Sequence, residues 1–253
     1  CSEICSHYNC IDTLILNAGL QYTGAKEPKW SHQGFELTFA VNHLSHHYLF
    51  TRMLRLLSNS KNPRLIVTSS EVHNPETSGG RIGKAASLGS FLGLKSGKGF
   101  KMVDGSKIFS ADKAYKDSKL CNLLLAKEIH SRSQKEGMKL SVIAWAPGLV
   151  IPRNSCGFFR YSRKYNELGQ RIFALLARDI FRISDTLENA GKTLAKLATD
   201  SKYQSPNFLY LSNQLLSPGK FRFGEGTLSK EAQKENMSVD LWKLTDELIK
   251  DVL

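Results

Sequence analysis

Apolar residues along this chain fall into short continuous runs that alternate with longer stretches of helical period. Ile11–Leu16 is closed by Asn17-Ala18-Gly19, Arg64–Ser69 ends in hydroxyl residues, Leu140–Ala146 ends at Pro147-Gly148, and Phe208–Leu211 ends at Ser212-Asn213. Short runs that are apolar on both faces are what the strands of a parallel sheet require, because helices cover both sides. Between them, Glu36–Leu57 places Leu37, Val41, Leu44, Tyr48 and Thr51 on one predicted stripe, and Lys113–Gln134 turns Leu120, Leu123, Leu124 and Ile129 inward. Asp185 with Glu188 has the form of a capping box ahead of a helix over Leu187–Leu197, and Val239–Val252 reads as a last amphipathic helix. The alternation predicts a doubly wound α/β sheet, with Trp145 in a central strand and Trp242 packing the last helix against the sheet.

Two stretches break that rhythm within what reads as one domain over residues 1–253. Residues 71–110 are rich in Gly, Ser and Lys, and a loop of that length inside a compact domain is functional or mobile in most cases. Residues 149–183 mix aromatic and basic side chains, as in Phe158-Phe159-Arg160-Tyr161-Ser162-Arg163. That composition suits a lid over a flat, apolar, anionic ligand, and equally a basic pair of surface helices.

Charge narrows the partners. Thirty-five Lys and Arg against 23 Asp and Glu give +12, which attracts anions. The basic residues are scattered and no nucleic-acid motif accompanies them, so nucleic acid is not the expected partner, whereas peripheral contact with an anionic membrane surface is permitted. No apolar run approaches the roughly 20 residues of a membrane-spanning helix. Five cysteines, Cys1, Cys5, Cys10, Cys121 and Cys156, lack CxxC spacing and point to a reducing compartment. His43, His46 and His47 share a helix, but no carboxylate lies nearby in register, and no metal is expected.

The chemistry is carried by Tyr115-Lys116-Asp117-Ser118-Lys119, in which Tyr115 and Lys119 share one helix face. An ammonium beside a phenol stabilises the phenolate and makes the tyrosine a usable proton donor and acceptor. Its company matters more than the pair alone. A strand ends in Asn-Ala-Gly, Asn42 sits in the next helix, another strand ends in Ser69-Ser70, the Tyr/Lys helix follows, and the next strand ends in Pro147-Gly148. An open α/β sheet gathers its ligand site at such strand ends.

This ordered set resembles the short-chain dehydrogenase/reductase family. The resemblance implies a Rossmann-type fold and a tetrad of Asn42, Ser70, Tyr115 and Lys119, with Tyr115 the proton donor, Lys119 on the nicotinamide ribose, Ser70 orienting the reacting group and Asn42 holding a water. It implies that Asn17, Ala18 and Gly19 lie on the adenine side of a bound NADPH, and that Pro147 and Gly148 flank the nicotinamide. Within the family the likeness is to the light-dependent branch that reduces the C17–C18 double bond of protochlorophyllide in chlorophyll biosynthesis. Ala25-Lys26-Glu27-Pro28, Met102-Val103-Asp104-Gly105 and Lys113-Ala114-Tyr115-Lys116-Asp117-Ser118-Lys119-Leu120-Cys121-Asn122 carry it. That branch implies Cys121 and the aromatic pair Phe158 and Phe159 near the pigment, and a place in the cytoplasm or plastid stroma of a photosynthetic cell, peripheral to thylakoid membrane.

Departures bear on the substrate. Ser70 stands where the branch has threonine, Ala146-Pro147-Gly148-Leu149 where it has Tyr-Pro-Gly-Cys, and Leu209-Tyr210-Leu211-Ser212-Asn213 where it has Trp-Ser-Trp. Another bulky carbonyl, polyene or isoprenoid substrate, or a pigment-binding relic without turnover, stays open. The family's glycine-rich pyrophosphate turn does not occur before Asn17; Gly79-Gly80 and Gly97-Lys98-Gly99 follow no strand. The expectation is a chain matching the C-terminal three quarters of such a reductase, its first strand an open edge and its own NADPH affinity poor.

Overall fold

A computed structural model describes residues 1–153 and 158–250. Five strands form one sheet in the order β1-β2-β3-β4-β5: β1 (Thr13–Leu16), β2 (Arg64–Thr68), β3 (Ser141–Ala146), β4 (Leu209–Ser217) and β5 (Lys220–Glu225). The first four run parallel, and β5 returns antiparallel on β4. β2 and β3 are buried at every residue, as a sheet covered on both faces demands. Side chains alternate along them. Leu65, Val67, Val142 and Ala144 pack with Leu123, Ala126 and Ile129 on one face, while Ile66, Ile143 and Trp145 pack with Leu197 on the other. The doubly wound Rossmann-type sheet is therefore present, with Trp145 in its core.

Helices α1 (Ser2–His7), α2 (Ser45–Ser58), α3 (Ala111–Lys135), α4 (Glu167–Ala174), α5 (Leu187–Thr199) and α6 (Met237–Lys250) accompany the sheet, with shorter helical turns between. β1 lies at one edge with Ile15 exposed.

Four details differ from the sequence expectations. The helical stretch before α2 contains a π turn over Ala40–Leu44. The face it buries is Phe39, Asn42, His43, His46, Phe50 and Met53, whereas Thr51 of the expected stripe is exposed. The reason is internal bonding: Asn42 bonds Leu20, the His43 ring faces Thr245 Oγ1 at 3.2 Å, and the His47 ring faces Asp246 Oδ1 at 2.7 Å. Second, Thr186 caps α5 by accepting from Asn189 N, while Asp185 accepts from Thr186 N and Asn189 Nδ2. Asp185 and Glu188 form no capping box. Third, β4 runs beyond Leu211 to Ser217, and β5 follows it.

Fourth, residues 71–110 are a packed layer and not an open loop. Leu88, Phe91, Leu94, Phe100 and Val103 are buried with Phe35 and Phe39 on one side and Leu120, Leu124 and Leu241 on the other. Two cations of α3 fasten it. Buried Lys116 donates to the carbonyls of Gly80 (3.3 Å), Ile82 and Lys84 (3.1 Å). Lys113 Nζ donates to Ser87 O (2.6 Å) and to the carboxylates of Asp117 (2.6 Å) and Asp104 (3.1 Å). Cys156 of the expected lid lies outside the described residues.

Candidate active site

The sheet's C-terminal edge assembles the expected residues from four elements. β1 is followed by Asn17 and Ala18, both exposed, and then Gly19. Gly19 lies against the site, a Cβ there falling in ordinary contact with Lys119 Nζ (3.5 Å) and Asn42 Oδ1 (3.6 Å). β2 ends at Thr68, whose carbonyl accepts from Lys119 Nζ (3.2 Å) and Asn122 Nδ2 (3.1 Å). Thr68 Oγ1 accepts from Trp145 Nε1 (2.9 Å) and donates to Asn17 Oδ1 (2.8 Å), tying three strand ends together.

α3 supplies Tyr115 and Lys119. Ser110 caps it by accepting from Lys113 N, and Ala111, Leu120, Leu123 and Leu124 bury its inner face. Lys119 Nζ lies 5.6 Å from the centroid of the half-buried Tyr115 ring. Burial raises the Tyr115 phenol above its ordinary value, and the Ser70 side chain opposes that rise. Burial pulls the Lys119 ammonium down to about 8. The pair is thus a phenol that holds its proton until charge or a reacting group draws it off, beside a cation present through neutral pH.

Asn42 is buried in the π turn, donating to Leu20 O (3.0 Å) and Ser118 Oγ (3.0 Å) and accepting from Leu20 N (2.8 Å). Ser118 Oγ donates in turn to Tyr115 O (2.7 Å), so Asn42 braces the turn of α3 that carries the tyrosine. A one-residue π expansion is a recurrent way to aim such a group. Pro147 and Gly148 follow β3. Gly148 has φ +77°, and a Cβ there would sit 2.9 Å from Asn213 O, so the turn demands glycine.

The remaining expected residues separate. The Phe158 ring lies 5.1 Å from that of Tyr115, tilted by 59°. Phe159 turns away into a small core with Ile151, Ala174 and Ala177. Cys121 is enclosed by Phe35, Leu88, Leu94 and Leu120, where burial pushes its thiol well up. It presents no sulfur at the strand ends.

Several supporting residues were not singled out from the sequence. Ser69 Oγ donates to Lys119 O (2.8 Å), and His73 Nδ1 lies 2.6 Å from Ser70 O while its Nε2 accepts from Ser229 N (3.3 Å). Glu71 bonds Ser212 of β4. Ser69 and Glu71 flank the hydroxyl at the end of β2, which was the one available signal.

No family model matches the chain. Over 245 residues it is 31% identical to the chloroplastic protochlorophyllide reductase of Marchantia paleacea, covering 94% of the chain and 50% of that relative. It is 31% identical over 245 residues to chloroplastic protochlorophyllide reductase B of Oryza sativa subsp. japonica, covering 94% of the chain and 58% of the relative. The chain thus spans between half and three fifths of these relatives' length. Among solved structures, an uncharacterized protein from Mycobacterium paratuberculosis superposes with a TM-score of 0.63 at 22% identity, over 98% of the chain and 70% of that protein. The 3-alpha-hydroxysteroid dehydrogenase of Pseudomonas sp. B-0831, complexed with NADH, gives 0.53 at 16% identity, over 83% and 75%. The similarity to these reductases runs through nearly the whole chain, on a sheet of the kind the solved dehydrogenase shares.

Proposed function

We propose that this domain catalyses the NADPH-dependent, light-driven reduction of the C17–C18 double bond of protochlorophyllide. The observation that carries the reading is the Tyr115 ring beside the Lys119 ammonium and the Phe158 ring, at the strand ends of a chain similar to protochlorophyllide reductases. The residues fit a nicotinamide cofactor: exposed Asn17 and Ala18 with Gly19 on its adenine side, Lys119 on the ribose, and the Pro147-Gly148 turn beside the nicotinamide. NADPH held by these residues would supply hydride to one carbon of the double bond of the light-excited pigment.

Tyr115 donates its proton to the other carbon. The tyrosinate left behind is stabilised by the Lys119 charge and the Ser70 hydroxyl, which lowers the cost of proton transfer. Asn42 holds Tyr115 in place through Ser118. Phe158 excludes water from the phenol and offers a flat apolar surface to a conjugated ring system. The relatives' chloroplastic names support a plastid stroma for this reaction.

The test is Tyr115→Phe in the protein from its source. Illuminated product formation is expected to fall at least about a hundredfold, with protochlorophyllide binding changed less than about twofold, since the ring stays. Equal loss of binding and turnover would make Tyr115 a packing residue and overturn the reading. The replaced Tyr-Pro-Gly-Cys and Trp-Ser-Trp segments favour a second reading, a reductase of another bulky carbonyl or isoprenoid, and NADPH oxidation in the dark with such a substrate would establish it.

A further inference from the structure

β3 and β4 part after Ala146 and Ser212, their last pair. Beyond it come the Pro147-Gly148 turn on one strand and Asn213 on the other. Asn213 is half-buried, and its Nδ2 donates twice, to Pro147 O (3.3 Å) and to Asp185 Oδ2 (2.8 Å). Its main chain presses on the same turn, because a Cβ on Gly148 would come 2.9 Å from Asn213 O. Both groups that face the amide nitrogen are acceptors, so an NH2 group satisfies them together and a carboxylate would satisfy neither.

Asp185 stands at the far end of the excursion that begins at this turn. Its N–H donates to Leu149 O (2.8 Å), it forms an isolated parallel bridge with Val150, and Ile151 N donates to Ser184 Oγ (3.0 Å). The two ends of residues 149–185 therefore meet in a neck. The Asp185 carboxylate is buried, and the donors it accepts from are neutral: Thr186 N (2.7 Å) and Asn189 Nδ2 (2.9 Å) at the start of α5, and Asn213 Nδ2 from β4. Ile151 of the neck packs in one small core with Phe159, against which Leu149, Phe158 and Ile183 also rest, and Phe158 is the ring 5.1 Å from Tyr115. One side-chain amide thus joins the turn, the neck and, through the packing of the neck, the aromatic neighbour of the phenol. Asn213 lies in the segment Leu209–Asn213 where the chain departs from the branch it resembles, so likeness does not account for it.

We propose that Asn213 and Asp185 are positioning residues that lock the Pro147-Gly148 turn and the neck of residues 149–185 to the end of β4, setting the nicotinamide and the ring beside Tyr115 from one latch. The inference rests on the nicotinamide reading of these strand ends. A carboxylate suits position 185 because every group it meets is a donor, whereas an amide there would turn one NH2 toward another. Loss of either partner leaves a buried polar group unpaired and frees the turn from its side-chain tie to β4.

The experiment measures NADPH affinity from the cofactor's own fluorescence, in darkness and without pigment, for the protein from its source and its variants. Asn213→Asp sets an acceptor against two acceptors and is expected to weaken NADPH binding at least about tenfold. Asp185→Asn is expected to weaken it about fivefold. The double variant Asp185→Asn with Asn213→Asp regains one donor–acceptor pair and is expected to bind no more weakly than Asn213→Asp alone. Gln204→Ala removes the amide that accepts from Arg64 Nη2 (2.9 Å) at the opposite end of the sheet; it is expected to lower the denaturation midpoint while leaving NADPH affinity within about twofold. Circular dichroism reports folding, and if Asn213→Asp does not fold, Asn213→Ala removes the donors without adding charge and is expected to weaken NADPH at least about fivefold. Folded Asn213 and Asp185 variants that bind NADPH within about twofold of wild type would overturn the latch, as would losses that multiply in the double variant. A wild type that binds no NADPH would overturn the nicotinamide reading and the latch with it. NADPH binding that weakens as expected, without light-driven conversion of pigment by wild type, would uphold the latch and sink the protochlorophyllide reading alone.

Discussion

The two segments that interrupt the strand–helix alternation solve opposite problems. Residues 71–110 are Gly- and Lys-rich, yet they bury Leu88, Phe91, Leu94 and Phe100 and are held by ammonium groups sealed inside the domain. The segment from Phe158 to Phe181 is aromatic-rich, yet it leaves Leu168, Ile172, Leu175 and Phe181 in water and rings them with arginine. Hydrophobic content therefore does not say which insertion is sealed. What separates them is where the cations go: Lys113 and Lys116 reach buried carbonyls and carboxylates in the first, whereas Arg153 and Arg171 pair with carboxylates at the surface in the second. The first holds the Tyr115 helix rigid, because Lys113 and Lys116 flank the tyrosine, and the second is free to meet a ligand.

Breaking the sealed segment has the largest expected consequence. Phe100→Ala removes a ring packed edge-on to Phe39 at 5.3 Å and is expected to cost about 3–5 kcal/mol. Lys116→Ala strands the carbonyls of Gly80, Ile82 and Lys84 and is expected to cost about 3 kcal/mol. Phe173→Ala in α4, where the ring is 42% exposed, is expected to cost under about 1 kcal/mol. Denaturant unfolding of the three variants measures the contrast, and equal losses would erase it.

Acid is the next probe. Burial lowers His46 to about 3 and His73 to about 4, below their ordinary 6.5. Each is neutral when folded and takes up a proton on unfolding, so the stability they help maintain is intact above pH 6.5. It drains as pH falls below 6.5, by about 1.4 kcal/mol per pH unit for each group. His73 stops contributing near 4 and His46 near 3. Both support the sealed side, one behind Lys119 and the other behind Ser70, so midpoint denaturant concentration followed from pH 7 to 4 should fall in wild type and less in His73→Gln. A flat profile would mean that the rings reach solvent.

A gentler effect belongs to the reacting pair itself. Lys119 carries its charge below about 8, so product formation is expected to decline above that pH and to lose that limb in Lys119→Met, where the remaining rate is low throughout. The smallest effect is expected from Leu168→Ser, within about 0.5 kcal/mol of wild type in stability, as befits a side chain that already faces water.

Much of this was legible in the sequence. β2 and β3 were plain because they are apolar on both faces, and Tyr115 with Lys119 because helical spacing puts them together. The face of the helix around Asn42 was not, because its buried residues are histidines and an asparagine whose partners, Thr245, Asp246 and Leu20, lie far away in the chain. Lys113 and Lys116 read as surface charge for the same reason: nothing local shows that the carbonyls of residues 80–87 come to meet them. β5 escaped because Lys220–Glu225 has no buried residue to mark it. Cys121 was placed by likeness near the pigment, and its neighbours Phe35 and Leu88 could not be known from local pattern.

The central claim is a reduction at the Tyr115 strand end, and the most direct measurement is the absorbance of protochlorophyllide incubated with NADPH and the wild-type protein from its source, in darkness and then under illumination. The account predicts no conversion in the dark and chlorophyllide after light. Bound pigment and bound NADPH with no conversion under either condition would contradict it.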